Sequence, residues 1–372
     1  MDRQLFIFLF PLLLFGCVSQ SAVEPFGAPP SVAVTALAVD EGGSDRMHLD
    51  RIRTDRAKLA VFVNREVPKA DRLTAVHTME PLTDFNNAVL ASGLFSDRAA
   101  AQELRIRGLI LATDALRRHA PFKQELYATV VDSTEPIELR HAVARSLAQI
   151  HYYISFVPSE KNPDISEQYY ASLRKLKTDP DDHLRTFGIS SLMRLGDTEM
   201  IKSVNNMLSG EQPRALPLGK LLKLVVTQVN TRPYFSGLGS VLNSVESIDD
   251  RAMSARMLGR SESSKNALLQ MATDPQQDER LGLAALSALN AGRSDDFEAA
   301  AKQILTHNAG FASPLQVYAI SALALDRSSI EKRYKSLRTA DHLDNLITSL
   351  ADKSRNSEVV KAAQRYLKNV QP

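Results

Sequence analysis

Residues 140–147 read RHAVARSL, and the offsets 0, +4 and +7 in this stretch place Arg140, Ala144 and Leu147 on one face of a helix. The same offsets recur later in the chain, at Arg185–Ile189–Leu192, Arg251–Ala255–Leu258 and Gln316–Ile320–Leu323. A helical face that returns after tens of residues indicates an array of similar helical units.

The signals of helix starts also repeat along the chain. Residues 133–136, 178–180, 273–275 and 313–314 each combine a side-chain oxygen with a proline, a pairing typical of the first residues of a helix. The acidic pairs Asp249–Asp250 and Asp295–Asp296 are likewise expected at helix starts, where carboxylates face free amides. Strand-like alternation bounded by glycine is almost absent. We therefore predict an all-α body.

The unit spacing, the small residues at the expected helix crossings and the leucine stripe resemble HEAT and armadillo repeats. These are two-helix units of roughly 40 to 47 residues that stack into a solenoid. The resemblance covers residues 98–370 and implies an α-solenoid with an exposed concave face. In these families Asp and Arg on successive units often form an internal polar ladder. The candidates here are Arg140, Arg185 and Arg251, with Gln316 and Glu358 in the later positions. A globular helical bundle is the alternative architecture.

Near the amino terminus, residues 5–15 read LFIFLFPLLLF and are followed by Gly16 and Cys17. This apolar run rises roughly 16 Å as a helix, too short for a hydrocarbon core of about 30 Å, so it has the form of a secretion signal. Residues 14–17, LFGC, resemble the lipobox of bacterial lipoproteins, and Cys17 is the only cysteine. The resemblance implies cleavage between Gly16 and Cys17, diacylglycerol on the thiol, and an acyl chain such as palmitate on the new amino terminus.

These features divide the chain into four segments. We predict a signal peptide over residues 1–16, a lipidated cysteine and flexible tether over 17–45, a mostly helical segment over 46–97, and the HEAT-like domain over 98–372. The tether is rich in Pro, Gly and Ser, and within it residues 32–39 are a candidate short strand. Val18 after the cysteine favours the outer membrane by resemblance to Gram-negative lipoproteins. We expect a periplasmic orientation there, with exposure on the cell surface as the alternative.

Composition disfavours several classes of function. The chain has 45 basic and 43 acidic residues, so its charge gives no reason to expect nucleic acid as a partner. The histidines show no i, i+4 pair and no HExxH motif, and we predict no metal site and no cofactor beyond the lipid. Residues 236–240, SGLGS, lack a phosphate-binding lysine and are interpreted as a turn between helices. No catalytic residue is predicted, and an envelope enzyme acting on cell-wall or lipid material is the alternative function.

Two stretches are candidate protein-binding surfaces. Residues 212–245 contain no Asp or Glu, so their cations suit an acidic partner, while a buried helix with lysines reaching water is the alternative. The second stretch is rich in tyrosine, which is favoured at interfaces, although packing across a repeat boundary explains it equally well. The candidates are Arg214, Lys220, Lys223, Arg232, Tyr234 and Phe235 in the first stretch, and Tyr152, Tyr153, Tyr169 and Tyr170 in the second. The sequence thus predicts a lipid-anchored helical-repeat scaffold or adaptor that binds other envelope proteins.

Overall fold

The computed structural model describes residues 41–151, 167–292, 295–307, 310–325 and 341–370. Within these ranges the chain forms eighteen α-helices and two short 3₁₀ turns, without a strand, which confirms the all-α prediction. The helices are α1 (Glu41–Val63), α2 (Lys69–Val76), α3 (Phe85–Ser96), α4 (Gln102–Leu116), α5 (Ala120–Val131), α6 (Ile137–His151), α7 (Glu167–Leu176), α8 (Asp182–Arg194), α9 (Thr198–Ser209), α10 (Leu218–Val226), α11 (Phe235–Leu242), α12 (Ile248–Met257), α13 (Lys265–Thr273), α14 (Glu279–Ala291), α15 (Asp295–Thr306), α16 (Ser313–Leu325), α17 (Asp341–Lys353) and α18 (Ser357–Val370).

The chain divides into two compact units, each built from helix pairs. Of the described residues, 41–116 and 145–151 belong to the first unit and the others to the second. In the first unit the pairs are α1–α2 and α3–α4, with α1 packed on α3 and α2 on α4. In the second unit α13–α14, α15–α16 and α17–α18 are pairs, and α12, α14, α16 and α18 pack in succession. Within each unit, successive second helices therefore pack on one another, and in the first unit this order already holds for helices that begin before residue 98.

A polar side chain at the fourth position of the second helix ties several of these pairs together. The arginines at this position donate to a main-chain carbonyl in the last turn of the preceding helix, where helix-internal donors are lacking, and Gln316 donates to a carbonyl in the connection just before its own helix. The pairs are Arg72–Phe62, Arg105–Phe95, Arg140–Val130, Arg251–Leu242 and Gln316–Phe311, with N···O distances from 2.7 to 3.0 Å. The recurring face detected in the sequence therefore fixes how the second helix packs on the first.

The internal polar ladder is only partly built from the arginines that the sequence suggested. Arg140 continues to the next helix pair, where its guanidinium forms a buried ion pair with Asp179. Arg185 instead turns back and donates to the main-chain carbonyl of Asp179, 2.7 Å away. Glu358 lies at the exposed start of α18 and pairs with Lys361. The ladder is therefore interrupted, because these side chains bond within their own helix pair.

Two predicted helix starts lie a few residues too early. At the Thr-Asp-Pro motifs, the Asp179 and Asp274 carboxylates accept N–H bonds from the backbone two residues later and form local turns. The N-caps are the next acidic residues, Asp181 for α8 and Asp278 for α14. A side chain that bonds its own following backbone competes with the helix, so each helix begins only at the second acid. The pairs Asp249–Asp250 and Asp295–Asp296 do lie in first turns, as predicted.

The amino-terminal predictions lie largely outside the described residues. Cys17, Gly16, the signal peptide and the candidate strand over residues 32–39 all precede the first described residue. Helix α1 begins at Glu41, within the segment 17–45 expected to be a tether. Across the described ranges, no helix combines the length and the hydrophobicity needed to cross a membrane.

Candidate protein-binding surface

The basic stretch 212–245 folds into α10, a 3₁₀ turn at Arg232–Tyr234, and α11. Helix α10 packs on α9 and α12 and buries Leu221, Leu222 and Val225 completely. One face of α10 therefore lies in the core, in agreement with the alternative interpretation of this stretch as a buried helix. On the other side, Lys223 and Val226 in the last turn of α10 and most of the following residues up to Pro233 are exposed.

Two large apolar side chains lie in that exposed part. Val226 is 53% exposed and Val229 is 89% exposed. Full burial of a valine side chain stabilises a protein by roughly 1.5 to 3 kcal/mol, and much of this stabilisation is absent at both positions because the side chains remain exposed. Scattered single apolar residues are ordinary on a protein surface, whereas adjacent ones accompanied by charge are typical of contact sites.

Two of the four cations in the stretch are paired within the chain. Arg214 forms an ion pair of 2.8 Å with Glu246, which lies just outside the acid-free stretch. Lys220 pairs with Asp182 at the start of α8, and its hydrogen bond lowers the pKa of that carboxyl. Neither cation is available to a partner without breaking an existing pair.

The other two cations, Lys223 and Arg232, are exposed. Among the described residues, no acidic side chain forms an ion pair with either of them. They precede and follow the two exposed valines along the chain. We call Lys223, Val226, Val229 and Arg232 the α10 patch.

The aromatic candidates divide between core and surface. Tyr169 and Tyr234 are each 1% exposed, and burial raises the pKa of both phenols. Tyr169 packs on Tyr127 with 5.3 Å between the ring centroids, so packing explains it and the ring is not available at the surface. Tyr170 is half-buried, with the Arg174 guanidinium 5.7 Å above its ring centroid. Tyr152 and Tyr153 lie outside the described residues.

A shallow groove follows α11 and faces the start of α13. It has a volume of about 490 Å³, and its walls carry no charged side chain. The wall from α11 includes Phe235, Ser236, Gly239 and Ser240, and the opposite wall includes Ser263 and Ser264. We call this feature the α11 groove. Its hydroxyls and small side chains suit contact and hydrogen bonding, and its lining residues supply no acid or base for catalysis.

The α11 groove was missed because the sequence predicts a turn at residues 236–240, where the structure has a helix. Gly237 lies where α11 meets α9, and a Cβ there would come within 2.8 Å of the Leu208 Cβ. This glycine therefore allows close helix packing and does not form a turn. The spacing of Ser236, Gly239 and Ser240 on one helical face was the available signal.

A second polar cluster lies at the starts of α6 and α8, and its side chains contact one another. The Nε2 atom of His141 lies 2.9 Å from an Asp181 carboxylate oxygen, and the His141 and His183 rings are 4.6 Å apart. Burial acts to raise the pKa of Asp181, but hydrogen bonds from the Leu184 amide and from His141 outweigh it and lower the pKa. No local sequence pattern indicates this cluster, since His141 and Asp181 are 40 positions apart. Within the described ranges, no three His, Cys, Asp or Glu side chains form a group able to hold a metal ion.

No protein-family model, no curated protein and no solved structure matches the chain in the comparisons with known proteins. The functional argument therefore rests on the surface described above and on the sequence of the amino terminus.

Proposed function

We propose that this protein is a lipid-anchored helical-repeat adaptor of the bacterial cell envelope that binds other proteins. The single observation that carries the binding role is the α10 patch, in which exposed Val226 and Val229 lie between exposed Lys223 and Arg232 along the chain. An apolar centre with a charged margin is the usual composition of a protein-binding site. Partner contact would bury the two valines and give both cations acidic neighbours.

The helical body supports this role through its construction. Stacked helix pairs bury one face of each helix and leave the other available over a long surface. After Val245, the side chains of Val229 and Val226 are the most exposed large apolar side chains among the described residues, and their place between two exposed cations in the sequence makes them the candidate contact point. The proposal requires no cofactor and no catalytic group.

The anchor is supported by the sequence of residues 5–17. A lipobox-like LFGC ends at Cys17, the only cysteine. Lipidation there would make residues 17–40 a tether of 24 residues before α1, which begins at Glu41. Each buried methylene contributes about 0.8 kcal/mol, so two or three acyl chains hold a protein on a bilayer almost irreversibly. We place the anchor in the outer membrane with the helical body on the periplasmic side.

The anchor is tested by expressing wild type and Cys17→Ala in a Gram-negative host supplied with a clickable fatty acid. The expected result is fatty-acid labelling and membrane recovery of the wild type, both lost in the variant. Protease treatment of intact and permeabilised cells then distinguishes a periplasmic from a surface-exposed body. Wild-type protein that carries no label would overturn the lipid anchor.

The binding role is tested by crosslinking the full-length chain in envelopes and comparing the proteins recovered by the wild type with those recovered by two variants. Val226→Ser combined with Val229→Ser removes the apolar centre of the α10 patch. Val245→Ser is the matched control, because Val245 is fully exposed but lies beyond the opposite end of α11. We expect the same partner with wild type and control, and its loss with the double variant. Unchanged recovery by the double variant would show that the α10 patch is not the contact site.

A further inference from the structure

Gly239, in the middle of α11, has no packing reason among the residues that the structure describes. Glycine inside a helix costs about 1 kcal/mol relative to alanine, so a helical glycine calls for a structural cause. Gly108, Gly188 and Gly237 have one, because a Cβ on each would approach a neighbouring helix to within 2.6 to 2.8 Å. A Cβ on Gly239 would meet nothing within 4 Å. The open space in front of Gly239 is the α11 groove.

The polar side chains of the α11 groove fold back onto their own surroundings. Ser240 donates to the Ser236 carbonyl at 3.3 Å, and the Asn243 amide donates to the Gly239 carbonyl at 3.0 Å. On the opposite wall, the hydroxyls of Ser263 and Ser264 lie 3.1 and 3.0 Å from that of Ser261. Each of these polar groups is thus engaged within its own wall of the groove. A backbone from another molecule can therefore approach α11 closely at Gly239.

Charge around the α11 groove indicates what that molecule carries. Arg232 lies one turn before Phe235, and Arg260 comes just before the wall that contains Ser263; both arginines are exposed. Across the described part of the chain, no acidic side chain forms an ion pair with either arginine. Glu262 on the same rim pairs with Lys265 at 2.7 Å, so these two charges offset each other. Each wall of the groove is thus preceded, three residues earlier in the sequence, by an exposed arginine, and positive charge is complementary to acidic groups.

We propose that the α11 groove is the docking site for an acidic segment of a partner protein. Its backbone and small side chains lie against Gly239, while its carboxylates face Arg232 and Arg260. This inference rests on the proposed adaptor function and names the partner chemistry, extending the contact surface from the α10 patch along α11. Guanidinium groups suit it because they bind carboxylates with two parallel hydrogen bonds.

The test places a photo-crosslinking amino acid at Ser240 in the full-length chain, with a second version carrying it at Val229. After irradiation of envelopes, mass spectrometry identifies the peptide attached to each position. We expect Ser240 to capture an acidic segment of the same protein that Val229 captures. We also expect the Ser240 yield to fall at least about tenfold, about 1.4 kcal/mol, in Gly239→Leu and in Arg232→Glu combined with Arg260→Glu.

Gly93→Leu is the matched control, because Gly93 also lies inside a helix and a Cβ there also meets nothing within 4 Å. The control should leave the Ser240 yield unchanged, and thermal unfolding should show that Gly239→Leu is folded. A further expected result is rescue: reversing the acidic residues of the captured segment to lysine restores crosslinking to the Arg232→Glu, Arg260→Glu chain.

The outcomes separate this inference from the proposed function. Capture through Val229 without capture through Ser240 would overturn the groove inference and leave the adaptor function standing. Absence of capture at both positions would contradict both. A basic segment or a nucleic acid attached at Ser240, or a yield unaffected by Gly239→Leu, would overturn the acidic docking site.

Discussion

The start of α8 and the α10 patch are both charged, but they use charge in opposite ways. At α8 the charges are paired within the chain: Asp179 pairs with buried Arg140, and Asp181 with His141. In the α10 patch, Lys223 and Arg232 have no acidic partner among the described residues and accompany exposed valines. Charge density alone therefore does not identify a binding site. Unpaired charge beside exposed apolar surface is the more informative sign.

The largest expected effect is on the buried pair at α8. Asp179→Ala leaves the Arg140 guanidinium, only 6% exposed, without its counter-charge, and we expect a loss of about 3 to 5 kcal/mol in the free energy of unfolding. Urea unfolding measures this. Glu358→Ala is the control, since it removes an exposed partner of Lys361 and should leave the urea midpoint unchanged. Equal effects of the two substitutions would show that the α8 pair does not stabilise the chain.

Two glycines in α11 give opposite expectations. Gly237→Ala places a Cβ 2.8 Å from the Asn205 main-chain carbonyl oxygen, and we expect a destabilisation of about 1 to 3 kcal/mol from overpacking. Gly239→Ala meets nothing and should stabilise the chain by up to about 1 kcal/mol through helix propensity. Thermal unfolding of both variants checks the signs. Destabilisation by Gly239→Ala would mean that this glycine has an internal structural role after all.

Asp181 is the next test of the α8 cluster. Its carboxylate accepts the His183 and Leu184 amides as the N-cap of α8, so Asp181→Ala should cost about 1 to 2 kcal/mol near neutral pH. Because the folded pKa of Asp181 is lowered, its contribution is present above the unfolded pKa of about 3.9 and is lost as pH falls through the folded value. The difference between wild type and variant should therefore shrink in acid. Unfolding curves from about pH 7 down to about pH 3 would show a constant difference if the ionised carboxylate were irrelevant.

The smallest expected effect on stability is in the α10 patch. Lys223→Glu combined with Arg232→Glu should change the free energy of unfolding by less than about 0.5 kcal/mol, because neither cation pairs with a described acid. The same variant should lose partner recovery in the envelope crosslinking assay. A large loss of stability would show that these cations stabilise the fold, as the paired charges at the start of α8 do. The two regions would then not differ in how they use charge.

The helical architecture was predictable because its signals are local. The offsets of Arg140–Ala144–Leu147 span two turns, and the arginine at the fourth helix position both forms that pattern and makes the interhelical bond. Helix starts were less predictable. Asp179 and Asp274 satisfy the sequence signal for a cap, but each bonds the backbone two residues on, and a following acid caps the helix.

The candidate surface was only half predictable, because its properties depend on distant residues. The cations of residues 212–245 were identified as a basic stretch, yet Glu246 and Asp182 neutralise two of them, and Asp182 is 38 positions from Lys220. Val226 continues the apolar run of α10 and resembles its buried neighbour Val225 in sequence. Only the packing of α10 on α9 and α12 determines which valine is exposed. The α11 wall of the α11 groove had a local signal in the spacing of Ser236, Gly239 and Ser240, but the opposite wall comes from a later segment that no local pattern connects to it.

The most direct test of the central claim is the yield of the partner crosslinked to the full-length chain when the α10 patch is altered. We expect Val226→Ser combined with Val229→Ser to lower this yield at least about tenfold relative to Val245→Ser, a difference of about 1.4 kcal/mol in binding free energy. Equal yields from the two variants, at equal folded protein in the envelope, would contradict the assignment of the α10 patch as the binding surface.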